Sequence, residues 1–378
     1  MKIGIITFHW GTNYGGVLQA YALQNYLEKN GHEVFIINYK PKRYNNLLIG
    51  YFAPKRFIWL LALLKNNFKG RGSVASSFKH IFIEYLDNII KEKKIKVFRK
   101  NYLKETILYE SIIELQKNPP KFDVYICGSD QIWNSFFTTK GEGGPTSAYF
   151  LDFGDFGIKK IAYAVSFGCE QYPLEAGIIA KEHMKNFSAI SVRENSGISI
   201  VKDLGFMDPI ILPDPTLLLS SSDYFPIYNG VDNASIAGVF SYFLRGENKE
   251  IFALESFIKK TYEIYAPDGI LKPYSIEEWI SGVKNASLVL TNSFHGAVFS
   301  IIFHKPFIVL LSSEDTSNMN DRFYTLLRKL NLNDRIITSF DEDITTKLLN
   351  TSINWTFVDA EISKLRKLSQ SFFNEHLC

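Results

Sequence analysis

The chain has 378 residues, of which 46% are hydrophobic and 15% aromatic, so it can bury the cores of two domains. Its net charge of +3 conceals an asymmetry, because residues 40–104 hold 16 Lys or Arg against three acids and the rest of the chain is acidic. Three cysteines without metal-ligand spacing argue against disulfides and zinc sites, and with no signal peptide evident they predict a cytoplasmic protein.

The first 39 residues predict a Rossmann-like opening. Residues 3–8 are typical of a strand, 17–29 of a helix and 33–39 of a second strand. The loop after the first strand contains His9 and ends in Gly15 and Gly16. These glycines would let a ligand approach the backbone at a helix N-terminus, although a tight strand-to-helix turn explains them equally well. A nicotinamide cofactor is not expected, because the G-x-G-x-x-G spacing is absent.

Residues 40–120 interrupt the α/β pattern. An apolar run covers residues 57–64, and residues 76–104 predict one or two basic helices. Two interpretations remain open: a helical insert packed on the first domain, or a surface that contacts a membrane or a lipid-linked substrate through residues 40–104. The block is rich in Ile, Leu and Phe and contains no nucleic-acid-binding motif, so a nucleic-acid partner is not expected.

The α/β pattern then resumes in two parts. Residues 122–127, 160–166 and 189–194 predict strands, 195–204 a helix, and the proline-containing segment 210–216 an irregular link between domains. A second α/β unit follows, with strands at 236–244, 287–290 and 307–311 and helices at 251–260, 276–285, 297–303 and 321–330. We expect a first domain over residues 1–215 with an insert at about 40–120, a second over 216–350, and a C-terminal helix within 351–378.

Four polar side chains stand where a strand ends or a helix begins. His295 lies between a strand and a helix, where it could transfer protons, or else cap a turn. Asp130 follows a buried strand and could be a general base, a sugar anchor or a helix cap. Arg193 and Arg322 could each bind a carboxylate or phosphate, or form structural ion pairs. No motif predicts a metal site or a hydrolase triad.

Taken together, these residues resemble the polysaccharide pyruvyl transferase family. The resemblance rests on NYGGVLQAYAL at residues 13–23, GSDQIWN at 128–134, SVRE at 191–194, DPTLL at 214–218 and TNSFHG at 291–296. As an ordered set these motifs are specific to the family. The resemblance implies two Rossmann-like domains facing a cleft, as in glycosyltransferases of the B type.

It also implies transfer of a pyruvyl group from phosphoenolpyruvate to two hydroxyls of a sugar in a bacterial surface polysaccharide or its lipid-linked precursor. No cofactor is required for this reaction. His295, Asp130 and His9 are then the predicted catalytic residues. The predicted donor-binding residues are Arg193, Arg322, Ser293, Gly296, Gly15 and Gly16, and the predicted acceptor-binding residues are Asn13, Gln131 and Trp133.

The chain departs from the family pattern at Ser293, because many members carry arginine two residues before the motif histidine. The Ser-Phe-His-Gly form resembles a branch of the family. Arg322, or a lysine such as Lys305, would have to replace the missing guanidinium, or the donor differs. Two alternatives therefore stay open: a B-type glycosyltransferase that uses a nucleotide sugar, and a non-catalytic glycan-binding relative.

Overall fold

The computed structural model describes residues 1–44, 74–206, 208–231, 238–244, 248–266, 268–269, 272–312 and 320–377. The predicted apolar run at 57–64 lies outside these residues. Among the helices described, none is long and apolar enough to cross a membrane.

The first domain is built on a six-stranded parallel sheet. Its strands are β1 (Lys2–Ile6), β2 (Glu33–Ile36), β3 (Val124–Cys127), β4 (Lys159–Val165), β5 (Ala189–Val192) and β6 (Ile210–Ile211), in the order β2-β1-β3-β4-β5-β6. All four residues of β3 are buried, as expected for a central strand covered on both faces. The helices of this domain are α1 (Tyr14–Lys29), α2 (Val74–Tyr102), α3 (Ile112–Lys117), α4 (Ser135–Lys140), α5 (Leu174–Met184) and α6 (Asn195–Asp203).

Helix α1 begins three residues earlier than the sequence predicts. Asn13 is its N-cap, and the Asn13 side-chain oxygen accepts a hydrogen bond of 3.1 Å from the Gly15 amide. An asparagine cap satisfies an otherwise unpaired amide, so the helix forms despite its two glycines. Gly15 and Gly16 therefore lie in the first helical turn rather than in a loop.

The basic insert contains one long helix, α2. Towards its C-terminal end, Lys94 forms an ion pair of 2.9 Å with Glu278 of the second domain, and the Lys91 ammonium lies 4.2 Å from the centre of the Tyr14 ring. Several of the basic side chains are thus engaged within the protein. This packing agrees with a helical insert, and the proposed membrane contact stays a prediction.

The prediction of an irregular link over residues 210–216 is wrong in part. Ile210 and Ile211 form the edge strand β6, and Pro215–Leu218 forms a buried 3-10 helix. Proline is tolerated at the first helical position because its missing amide would be unpaired there in any case. Asp214 caps this helix by accepting a hydrogen bond of 3.0 Å from the Thr216 amide.

The second domain contains a five-stranded parallel sheet. Its elements are α7 (Phe225–Tyr228), β7 (Val239–Tyr242), α8 (Lys249–Ile258), β8 (Ile264–Tyr265), a small antiparallel pair β9 (Asp268–Gly269) and β10 (Lys272–Pro273), α9 (Ile276–Asn285), β11 (Leu288–Thr291), α10 (Phe294–Ile302), β12 (Phe307–Leu310), α11 (Asp321–Lys329), β13 (Ile336–Ile337), α12 (Glu342–Asn350) and α13 (Trp355–His376). The sheet order is β13-β12-β11-β7-β8.

Both sheets therefore follow one Rossmann-like plan, in which the strand order reverses next to the first strand of the domain. The reversal lies between β1 and β3 in the first sheet and between β7 and β11 in the second. Ligands of open α/β sheets bind at such reversals, beyond the carboxyl ends of the strands. Helix α13 returns from the second domain to the first, where Phe373 stacks on Tyr163 with ring centres 4.7 Å apart.

Candidate functional site

A cavity of about 880 Å³ is lined by loops from both domains. Phe8, Trp10 and Gly11 follow β1, and Asp130 and Gln131 follow β3. From the second domain, Leu244 follows β7, Asn292 follows β11, and Leu311 and Ser312 follow β12. The strand-order reversals of both sheets thus border one cavity, which has the size and position of a ligand site.

The wall from the first domain is aromatic. The ring centres of Phe8 and Phe137 lie 4.4 Å apart, and those of Trp10 and Tyr44 lie 4.7 Å apart. The indole nitrogen of Trp10 and the hydroxyl of Tyr44 are buried and have no hydrogen-bond partner among the described residues. Amphipathic rings of this kind combine a flat apolar face with a polar edge, which suits a sugar ring.

The cavity also meets the N-termini of three helices. Asn13 caps α1, Asn248 caps α8 with a 2.9 Å hydrogen bond from the Glu250 amide, and Asn320 precedes α11 without a capping hydrogen bond from its side chain. Helix N-termini carry partial positive charge and unpaired amides, so all three favour an anionic ligand.

Arg322 lies in the first turn of α11 and lines the cavity from the second domain. Its guanidinium is 5.6 Å from the ring centre of Phe294 and 5.7 Å from that of Phe323. Burial, followed by repulsion from Arg193, lowers the pKa of Arg322 to about 10, so it stays charged near neutral pH. Among the described residues it forms no ion pair.

Asp130 lines the cavity from the first domain, with a backbone φ of 73°. One carboxylate oxygen is 3.4 Å from an Nη of Arg193, and the other faces Gly16. Asp130 is not a helix cap, because Asn134 caps α4. Of the three predicted catalytic residues, Asp130 is the one that lines the cavity.

A buried charged cluster lies behind this wall. Asp214 Oδ2 is 2.8 Å from Arg193 Nη1 and 3.3 Å from His295 Nε2, and all three side chains are almost fully buried. Burial alone would raise the pKa of Asp214, but His295, Arg193 and Thr216 outweigh it and hold that pKa well below its ordinary value. Burial raises the pKa of the neighbouring Glu194 despite Arg193. Arg193 thus forms a structural ion pair, which is one of the two roles that the sequence left open for it.

His295 forms the contact between the two domains at this cluster. A Cβ atom added to Gly15 would lie 2.0 Å from His295 Nδ1, so the glycine lets the N-terminus of α1 pack directly on the imidazole ring. Ser293 caps α10 by accepting a 3.3 Å hydrogen bond from the Gly296 amide, and Gly296 packs against Thr291. These four predicted site residues therefore lie behind the cavity rather than along it.

Two further residues that were predicted for the site have their side chains in the core of the protein. Trp133 is fully buried among Phe rings and donates a 3.0 Å hydrogen bond to the Tyr149 carbonyl, so it cannot contact an acceptor in this structure. His9 is also fully buried, with Nδ1 2.9 Å from the Thr7 carbonyl oxygen. Burial, followed by the charge of Arg99, lowers the pKa of His9 to about 4, so the imidazole is neutral at pH 7. Because the side chain is fully buried, it has no access to the cavity.

Comparison with known proteins agrees with the resemblance seen in the motifs. The sequence matches the family model described as polysaccharide pyruvyl transferase over residues 13–314. The chain belongs to this family. A comparison with curated proteins found no match.

Solved structures similar to this polysaccharide pyruvyl transferase family member include UDP-GlcNAc 2-epimerase from Neisseria meningitidis bound to UDP-GlcNAc. Identity is 12%, with 98% of this chain and 100% of that chain covered and a TM-score of 0.46. Arabidopsis thaliana UGT89C1 complexed with UDP-L-rhamnose also has 12% identity, with 97% and 93% covered and a TM-score of 0.46.

The family motifs supply six of the cavity-lining residues: Asn13, Gly16, Val17, Asp130, Gln131 and Asn292, the last of which is beside the predicted Ser293. Trp10, Tyr44, Asn248 and Asn320 line the cavity but are not among the predicted site residues. Asn320 carried a usable signal, because it directly precedes a predicted helix that contains Arg322. Lys305, the other candidate for the missing guanidinium, lies outside this cavity. The described residues include no group of three or more His, Cys, Asp or Glu that could hold a metal ion.

Proposed function

We propose that this protein transfers a pyruvyl group from phosphoenolpyruvate to two hydroxyls of a sugar, in a bacterial surface polysaccharide or its lipid-linked precursor. The observation that carries the proposal is the division of the cavity: Arg322 and two helix N-termini face it from the second domain, and an aromatic wall faces it from the first. One side suits a small anion and the other a sugar.

The donor fits the second-domain wall. Phosphoenolpyruvate carries a carboxylate and a phosphate, and Arg322 with the N-termini of α8 and α11 offers a guanidinium and unpaired amides to both. Arg322 packs on Phe294, the residue next to Ser293. A guanidinium from α11 thus lies beside the motif in which many family members carry their arginine, and Arg322 takes over its role.

The acceptor fits the first-domain wall, where Trp10 and Tyr44 offer ring faces and Asn13 and Gln131 lie among the polar residues. We place the reaction in the cytoplasm at the inner face of the membrane, where residues 40–104 would bring a lipid-linked acceptor to the cavity.

The reaction needs two protons delivered, one to the vinyl C3 of the donor and one to the leaving phosphate oxygen, and two removed from the sugar hydroxyls. Protonation of the vinyl C3 of the donor gives a methyl group and an oxocarbenium-like C2. The first sugar hydroxyl adds to C2 and loses its proton, the C2–O bond to phosphate breaks, and the second hydroxyl adds and loses its proton. The products are a cyclic ketal and inorganic phosphate.

We assign proton removal from the sugar to Asp130, because its carboxylate lines the cavity and is held by Arg193. His295 acts through Asp214 in this arrangement: it helps to fix Asp214, which in turn fixes Arg193 against Asp130. His295 is therefore a positioning residue.

The test is phosphate release from phosphoenolpyruvate by the purified protein, with a panel of lipid-linked and free glycans. Arg322→Gln should raise the KM for phosphoenolpyruvate about 100-fold, the scale of a lost charged contact, whereas Arg328→Gln on the exposed face of the same helix should leave it unchanged. Asp130→Asn should remove turnover while donor binding persists.

Two results would contradict this proposal, and each would indicate a different function. Thermal stabilisation by a nucleotide sugar, with no phosphate release and no donor binding, would indicate a B-type glycosyltransferase. Glycan binding that survives Asp130→Asn, with no turnover in the unmodified protein, would indicate a non-catalytic glycan-binding protein.

A further inference from the structure

A second cavity, of about 520 Å³, lies at the opposite end of α10 from His295. The ends of α9 and α10 form one side, and the segment 220–228 and helix α13 form the other. It shares no lining residue with the first cavity. The nine residues of α10 separate the two by roughly 13 Å along the helix axis.

Three cationic side chains from three different elements meet in this cavity. Lys284 is in the last turn of α9, Lys305 follows α10, and Arg366 comes from α13; each is half-buried. Burial, followed by repulsion from Lys284, lowers the pKa of Lys305, and burial lowers that of Arg366. No described acidic side chain forms an ion pair with either lysine.

Contacts within the protein engage only some of the donor groups of these three cationic side chains. Arg366 donates hydrogen bonds of 2.7 and 2.6 Å to the carbonyls of Leu217 and Leu219, which leaves Nη1. The Lys284 ammonium lies 5.0 Å from the centre of the Tyr228 ring. Both lysines are near helix C-termini, where a cation is favourable. That effect accounts for each lysine singly, and it does not account for two of them facing one cavity.

Asp359 is the acidic residue of this cavity. Its carboxylate is 2.9 Å from Nε2 of His304, and the His304 ring stacks on Trp355 at 4.8 Å. Asp359 is thus directed to the histidine rather than to the lysines. Asp223 also acts on the charge of Arg366, but its carboxylate forms an ion pair with Lys29. The cavity therefore keeps an excess of positive charge in a partly desolvated space, where an anion would be bound more strongly than at an open surface.

We propose that the cavity between Lys284, Lys305 and Arg366 is a second ligand site, which takes the phosphate group of a small soluble molecule. A bound phosphate would join α9, the end of α10 and α13 by charge-assisted hydrogen bonds. Because α13 also packs on the first sheet, this ligand would hold the returning helix to the second domain. The site does not depend on the identity of the donor in the first cavity.

Isothermal titration with pyrophosphate, and separately with inorganic phosphate, tests the site. The unmodified protein and the Arg322→Gln variant, in which the first cavity has lost its cation, should both bind the probe at the second site. Combining Lys284→Gln and Lys305→Gln should weaken that binding by about tenfold or more. Lys367→Gln, an exposed lysine of α13 outside the cavity, is the matched control and should bind as the unmodified protein does.

Thermal unfolding separates a ligand site from a structural role. Without phosphate, Lys305→Gln should keep or raise the melting temperature, because a mutual repulsion is removed, and it should lose the stabilisation that pyrophosphate gives. Pyrophosphate binding that is unaffected by the two lysine substitutions would overturn the proposal. So would an Arg322→Gln protein that binds neither probe.

Discussion

Substitution of Gly15 by alanine tests the contact between the two domains. The new Cβ would lie 2.0 Å from His295 Nδ1 and 2.2 Å from its Cγ, whereas ordinary contact is at 3.4 Å or more. The imidazole has little room to retreat, since it is nearly fully buried and its Nε2 is 3.3 Å from Asp214. Either the ring leaves Asp214 or α1 moves away from α10.

The expected free-energy change can be worked out from opposing effects. Alanine favours a helix over glycine by about 1 kcal/mol. Overpacking of a core typically costs about 1–3 kcal/mol, and leaving a buried polar group without its partner costs about 1–3 kcal/mol. We expect Gly15→Ala to lower the free energy of unfolding by about 2–4 kcal/mol, and to lower turnover because the cluster that holds Asp130 is displaced.

Gly16→Ala is the matched control, since it makes the same chemical change one residue later in the same helical turn. Its Cβ would lie 3.4 Å from the nearest atom, an Asp130 oxygen, which is an ordinary contact. This variant should be as stable as the unmodified protein or gain up to about 1 kcal/mol. Urea unfolding followed by tryptophan fluorescence measures both. If Gly15→Ala proves as stable as Gly16→Ala, the reasoning about this contact is refuted.

Two further substitutions test the site. Asp214→Asn should lower the free energy of unfolding by about 3–5 kcal/mol near neutral pH, because it removes the carboxylate that pairs with Arg193. Folding lowers the pKa of Asp214, so the stability that its carboxylate contributes is fully present above the ordinary aspartate pKa of about 3.9 and is lost as the pH falls further. Below pH 4 the Asp214→Asn variant should therefore lose less stability on acidification than the unmodified protein does, as measured by urea titration. Trp133→Phe should lower the free energy of unfolding by about 1–3 kcal/mol, since a buried hydrogen bond is lost, and should leave the acceptor KM unchanged. Trp10→Phe should raise the acceptor KM. Equal effects of the two variants on that KM would contradict the assignment of Trp10 to the cavity and of Trp133 to the core.

The sequence predicts the elements well where the hydrophobic pattern decides them. The helix predicted over residues 276–285 is Ile276–Asn285 in the structure, and the strand over 307–311 is Phe307–Leu310. Errors occur where a cap or tertiary contact decides the boundary. The Asn13 cap extends α1 across two glycines, and pairing with β5 makes a strand of Ile210–Ile211, next to prolines that suggest irregular structure.

The candidate site was predicted less completely, because local sequence patterns do not determine the direction of a side chain or its pairing with residues distant in the chain. Trp133 lies three residues after Asp130, yet one side chain points into the core and the other lines the cavity. Arg193 and Asp214 are paired across 21 positions, and His295 joins them from another domain. Only the folded chain brings these charges together.

This arrangement explains why the motifs identify the family more firmly than they identify the substrate. Arg193, Asp214, His295 and Gly15 belong to motifs on which the resemblance rests, and all four lie in the buried contact between the domains. Buried charges are costly unless fully paired, so such a cluster fixes how the two cavity walls face each other. Of the residues that would meet substrate, Trp10, Tyr44, Asn248 and Arg322 lie outside the quoted motifs, whereas Asn13, Asp130 and Gln131 lie within them. We propose that substrate choice can change while the contact between the domains is kept, and that Arg322 at the cavity takes the place of the motif arginine that Ser293 replaces.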